Sequence, residues 1–163
     1  MSVAPVEESV LVGEVSREQV EAEVPAWVQA EAESKIDVAA AHALAAVPPG
    51  AEVTVFFGTW CGDSRRELSR LWRVLDELSG EVPFPIHFIA LDRDKQEPDN
   101  RQAAADIHYV PTFIVSRDGR EVGRIIETSP NGVEIDLGAL LTGKVSGPLS
   151  ASRPELLTPG GAG

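Results

Sequence analysis

One stretch limits what this chain can become more than any other: Val53-Thr54-Val55-Phe56-Phe57-Gly58-Thr59-Trp60-Cys61-Gly62-Asp63-Ser64-Arg65-Arg66-Glu67-Leu68. The β-branched and aromatic run from Val53 to Phe57 predicts a buried strand, and Gly58 breaks it. Leu68, Leu71, Trp72, Leu75 and Leu78 then recur at steps of three and four, the spacing of an amphipathic helix. The chain's only cysteine, Cys61, stands at the joint. There the first helical N–H groups have no intrahelical partner, and the helix dipole is positive. A sulfur so placed is favoured as thiolate, the nucleophilic form. Asp63 opposes this by like charge, while Arg65 and Arg66 offset it. The competing expectation is a buried cysteine of purely structural role. The position favours instead a thiol exposed at the strand's carboxyl end, where open α/β sheets place their ligands.

The chain's 163 residues are enough for one domain with a core of its own. A lone cysteine excludes an intramolecular disulfide and a Cys-rich zinc site, and it suits a reducing, cytoplasmic setting. No basic start with an apolar core opens the chain, and no apolar run is long enough to span a bilayer. The net charge is −12, with nine acids against two bases in residues 1–50. Phosphate-rich partners need clustered Lys and Arg, so nucleic acid and anionic membranes are not expected partners. The acidity reads first as a solubility device.

Residues 1 to about 12 show no clear period and fit either disorder or a short edge strand. Ser16-Arg17-Glu18-Gln19 reads as a capping box. Val20, Val24 and Trp27 follow at helical spacing, with Pro25 expected to kink or end the helix. A second helix is expected from Ser34 to Val47, with Ile36, Ala40, Leu44 and Val47 on one face and Pro48-Pro49-Gly50 as its stop. After the strand Ala51–Phe57 and a helix from Cys61 to about Ser79, capped by Gly80, a second strand spans Ile86 to Leu91. That order predicts a parallel pair with a right-handed crossover. Asp99 to Ile107 suits a short helix. Thr112 to Ser116 and Glu121 to Ile126, joined through Asp118-Gly119, suit a hairpin. A last helix runs from Ser129-Pro130-Asn131 to Gly143. Residues 1–50 are expected to be a helical extension on the core, 51–143 the main domain, and 144–163 a flexible tail, although Leu156 and Leu157 could dock.

Two motifs resemble thioredoxins. Trp60-Cys61-Gly62-Asp63-Ser64 is similar to the Trp-Cys-Gly-Pro-Cys turn of that family. Val110-Pro111-Thr112-Phe113-Ile114-Val115, followed by Asp118-Gly119, is similar to its segment in which a cis-proline opens a strand. The likeness covers about residues 51 to 128. It implies a three-layer α/β fold, with a central mixed sheet flanked by helices. Ser64 replaces the second cysteine and Asp63 the proline. Val55 stands about where thioredoxins carry a buried acid that serves the resolving cysteine; with that cysteine absent, the relay has no task. These departures bear on activity rather than on fold.

What the resemblance implies for the site is monothiol chemistry. Cys61 is the nucleophile, and Ser64 either donates its hydroxyl to the thiolate or merely supports the helix start. Trp60, Gly62, Asp63, Val110 and Pro111 form the substrate-binding surface, with Val110 backbone groups pairing with an extended substrate. Trp60 is a platform for a partner or a lid on the sheet's end. Trp27 and Trp72 are expected in the core. His108 is weighed as a general base against a surface or capping role. The expected partners are protein or small-molecule thiols and disulfides. No resident cofactor is expected, with glutathione or another external thiol as co-substrate; the oligomeric state is open. The alternative is a peptide- or protein-binding module without turnover. Gly62-Asp63-Ser64 also resembles the start of a lipase and esterase family, but no Asp-x-x-His follows near the C-terminus. The iron–sulfur-binding Cys-Gly-Phe-Ser turn of monothiol glutaredoxins lacks its phenylalanine here.

Overall fold

The computed structural model describes residues 10–157. The strand at the heart of the sequence argument is the centre of a six-stranded mixed sheet, ordered β1-β3-β2-β4-β5-β6. Its strands are β1 (Gly13–Val15), β2 (Ala51–Phe57), β3 (Ile86–Ala90), β4 (Thr112–Arg117), β5 (Arg120–Ile126) and β6 (Gly147–Leu149). β2 runs parallel to β3 and antiparallel to β4, and β4 and β5 form the antiparallel hairpin expected around Asp118-Gly119. Asp118 and Gly119 both take left-handed φ, 52° and 82°, as a tight hairpin turn requires.

Among the described residues six α-helices accompany the sheet: α1 (Arg17–Glu23), α2 (Ala26–Glu33), α3 (Val38–Ala43), α4 (Gly62–Glu77), α5 (Arg101–Ala104) and α6 (Val133–Leu141). The Ser16 capping box is formed, with Gln19 N–H on Ser16 Oγ and Ser16 N–H on the Gln19 side chain. Pro25 ends α1 and stands as N-cap of α2, as its missing N–H and fixed φ dictate. The helix expected from Ser34 instead begins after Asp37, whose carboxylate accepts from Ala40 N–H. A serine whose hydroxyl already bonds back to Ala30 O ends α2 rather than opening α3.

Alternation along β2 sorts the core. Val53, Val55 and Phe57 face one side with Trp27, Leu44, Leu68, Trp72 and Leu137; Phe56 faces the other with Ile89, Leu91, Ile107, Val110 and Ile114. α2 and α3 lie against α4, and α3 also against α6, so the N-terminal helices share the larger core. Trp27 and Trp72 are fully buried and touch at 5.4 Å between ring centroids; Trp27 also meets Phe57 edge-on at 5.8 Å.

Two elements differ from expectation. The edge strand β1 pairs antiparallel with β3 and lies just beyond the lead expected to hold it; residues 1–9 of that lead fall outside the described residues. The tail expected from Val145 instead supplies β6, parallel to β5, followed by a 3-10 turn at Pro154–Leu157. Pro and Gly do not forbid a strand at a sheet edge, where one row of backbone groups needs no partner. Residues 158–163 lie outside the described residues.

Candidate functional site

β2 ends at Phe57, and after four intervening residues the chain turns into the sixteen-residue helix α4. Gly58 is required in that turn. The Trp60 ring folds back over it so closely that a Cβ there would lie 2.5 Å from the indole. Trp60 Nε1 donates to the Leu91 carbonyl at 2.9 Å, and Arg93 lies 5.8 Å from the ring centroid. Of the two roles expected for Trp60, the geometry matches the lid on the sheet's end. Trp60 as a residue is half-buried.

Cys61 is the N-cap of α4, with extended backbone, and the residue is half-buried. Sγ accepts the Ser64 N–H at 3.4 Å and lies 3.6 Å from the Val110 carbonyl oxygen, toward which the thiol proton donates. The structure thus joins the two separate motifs of the sequence at one sulfur. The Val110–Pro111 peptide bond is cis. Val110 and Pro111 are buried beneath this contact, and Gly62 is exposed beside it.

Ser64 is placed differently from one of the two roles weighed for it. Its side chain is fully buried, and Oγ accepts the Gly58 N–H at 3.1 Å. The group that reaches the sulfur is the Ser64 backbone N–H, not the hydroxyl. Asp63 pairs with Arg66 at 2.7 Å, so its charge is largely answered within the first turn of the helix. Arg66 also bonds Glu67 and Thr128 Oγ1, and the two carboxylates hold its guanidinium above its ordinary range despite partial burial. His108 pairs with Asp106 at 2.7 Å on the surface; the imidazole is taken up there rather than on the sulfur.

Sequence reasoning missed Glu67. Its buried carboxylate accepts both N–H and Oγ–H of Ser129, which ties α4 to the loop after β5 beside the site. No local signal marks it, since its partner stands 62 positions away. Among the described residues, no group of three or more His, Cys, Asp or Glu side chains is placed to hold a metal, and no helix is long and apolar enough to cross a membrane.

A mixed sheet flanked by helices, with a cysteine at the start of the helix after its central strand and an X-Pro peptide facing the sulfur, is a thioredoxin-like α/β fold. The chain is 29% identical over 84 residues to a thioredoxin of Staphylococcus saprophyticus, covering 52% of this chain and 75% of that one. A protein of unknown function from Pseudomonas aeruginosa has the same fold, with a TM-score of 0.53 at 15% identity over 81% of this chain and 89% of its own. A thioredoxin of Fasciola hepatica aligns at 25% identity over 59% of this chain and 82% of its own, with a TM-score of 0.40. No family model matches the chain.

Proposed function

We propose that this protein carries out one-cysteine thiol–disulfide exchange through Cys61. The observation that carries the reading is a half-buried cysteine at a helix start, whose sulfur accepts one backbone N–H and faces the Val110 carbonyl. Similarity to thioredoxins supports a redox role of this general kind. The Cys61 thiolate attacks one sulfur of a disulfide RSSR. The Sγ–S bond forms as the RS–SR bond breaks, and the departing RS⁻ takes up the proton that the Cys61 thiol gave up. The chain has no second cysteine, so an external thiol, glutathione or another, attacks the mixed disulfide and regenerates Cys61. Reduction of protein disulfides by this chain alone is therefore slow. The Ser64 N–H at 3.4 Å holds the sulfur at the start of α4, where it faces an incoming disulfide.

Mass spectrometry after incubation with oxidised glutathione tests this. One glutathione adduct on the wild-type chain, removed by a small thiol and absent in Cys61→Ser, is the expected result. An unmodified wild-type chain ends the proposal. A second reading, partner binding without turnover, draws on the partly exposed surface around Trp60 and Cys61. A partner retained equally by wild type and Cys61→Ser would assign the function to that surface.

A further inference from the structure

β6 leads into a segment that reaches back toward the site. The backbone runs past the end of β5, where Ala151 N–H donates to the Thr128 carbonyl at 2.8 Å. It then brings the Arg153 guanidinium over the Tyr109 ring, 4.4 Å from the ring centroid. The same guanidinium pairs with Glu127 at 3.2 Å. Arg153 lies outside the stretch that resembles thioredoxins, about residues 51 to 128, but what it holds lies inside. Tyr109 immediately precedes Val110, whose carbonyl oxygen lies 3.6 Å from the Cys61 sulfur.

Two contacts meet at Glu127. Its side chain takes Arg153, and its own N–H donates to the Pro111 carbonyl at 2.7 Å. It makes both at φ +68°, a left-handed conformation uncommon outside glycine, so its partners hold it there. The Tyr109 carbonyl accepts the Thr112 hydroxyl at 2.6 Å, which ties down the backbone. The Tyr109 ring has less support. The residue is half-buried and, with Leu156, lines a cleft of about 420 Å³ rather than packed core. A planar guanidinium can lie over a ring and pair with a carboxylate at once, and Arg153 does both.

We infer that Arg153 is a positioning residue for the exchange reaction: through Tyr109 and Glu127 it fixes the Val110–Pro111 segment, so that Cys61 prefers disulfides in extended peptides to small ones. An extended peptide gains by lying along a fixed backbone edge, whereas a small disulfide needs only the sulfur. The inference rests on the thiol–disulfide reading of Cys61 and adds the substrate class and the residue that sets it. The exchange step is unchanged: one sulfur of the peptide disulfide joins Cys61 Sγ, and the other leaves as a thiolate that takes up the proton Cys61 gave up.

The test compares rates of mixed-disulfide formation with two uncharged probes: bis(2-hydroxyethyl) disulfide, and the symmetric disulfide of a short one-cysteine peptide with blocked ends. Both rates come from one protein sample, so partial unfolding of a variant cancels in their ratio. Uncharged probes remove the long-range effect of deleting a charge. In Arg153→Ala and in Tyr109→Leu the preference for the peptide is expected to fall about threefold to tenfold, the scale of a cation–π contact. The double variant is expected to fall no further than Arg153→Ala, since both changes remove the same contact. Tyr109→Phe, which keeps the ring, is expected to retain the preference. If Arg153→Ala does not fold, Glu127→Gln, which weakens the hold on Arg153 and keeps the N–H on Pro111, carries the same comparison. An unchanged ratio in Arg153→Ala overturns the inference while the exchange reading stands. So does a double variant whose loss is the product of the single losses, a loss in Tyr109→Phe as large as in Tyr109→Leu, or a wild type that takes only the small disulfide. No adduct with either probe overturns the exchange reading and this inference with it.

Discussion

At the scale of single residues, the site is held by groups that never touch a substrate. Ser64 Oγ supplies the acceptor for the buried Gly58 N–H. Ser64→Ala orphans that donor and is expected to cost about 1–3 kcal/mol in denaturant unfolding. The backbone N–H on Cys61 survives the change, so the rate of glutathione adduct formation should move little by comparison. Glu31 shows the opposite balance. Burial is the main influence, helped by its hydrogen bond with Glu21, and it outweighs Arg17 to raise this carboxyl from 4.5 to about 7. The folded state then holds the proton more tightly than the unfolded chain. This contribution to stability is complete below about pH 4.5 and is lost as the pH rises through about 7. Asp76, held low by the same Arg17, works with the other sign: its contribution is lost only in acid. Thermal unfolding of wild type and Glu31→Gln from pH 5 to 8 separates the two. The stability of wild type relative to Glu31→Gln is expected to fall across that range, by roughly 1–2 kcal/mol after allowance for solvent screening. A difference that stays constant with pH would contradict the assignment.

At the scale of elements, one buried carboxylate ties three helices together. Glu134 of α6 is fully buried; it accepts Nε and a terminal nitrogen of Arg70 on α4, at 2.8 and 2.7 Å, and the Asp37 N–H that opens α3. Gly132, at φ +119°, lets Arg70 approach, for a Cβ there would stand 2.3 Å from the guanidinium. Arg70→Ala strands a buried anion and is expected to destabilise the chain by about 3 kcal/mol in urea, near the low end for a broken buried pair because Arg70 is partly exposed. Replacing both partners by apolar residues of similar volume should cost less than that single change. This element-level wiring was not legible in the sequence, because its partners stand 64 and 97 positions apart. The elements themselves were. β2 falls at Ala51–Phe57 as its β-branched run predicts, and α4 keeps Leu68, Leu71 and Trp72 fully buried as its spacing predicts. The helix expected from Ser34 to Val47 starts later, because Asp37 caps Ala40 N–H while the Ser34 hydroxyl donates to Ala30 O.

At the scale of the whole molecule, the N-terminal helices complete the core rather than decorate it. Trp27 is fully buried against Phe57 and Trp72, which belong to the central strand and the helix that carries Cys61. Trp27→Ala is expected to cost about 3–5 kcal/mol, seen as a lower urea midpoint. A chain beginning at residue 48 would expose that same surface and is expected to lose cooperative unfolding. The opposite end closes the sheet: β6 lies so near β5 that a Cβ on Gly123 would come within 2.4 Å of the Gly147 carbonyl. Gly123→Ala should therefore loosen β6, read as faster amide exchange at residues 147–149 with little effect on Cys61 alkylation.

Local chemistry, by itself, determined a buried strand, a glycine break and a cysteine at a helix start. It also determined an X-Pro strand opening and a hairpin, because each rests on neighbours within a few positions along the chain. Only the tertiary structure decided that Cys61 meets Val110, that the Ser64 hydroxyl turns to Gly58, and that His108 pairs with Asp106 instead of the sulfur. It also decided that the end of α2 and the start of α4 share the walls of one cleft. A side chain's partner is set by which distant segment folding brings within about 3 Å of it, and no periodicity in a sequence records that distance.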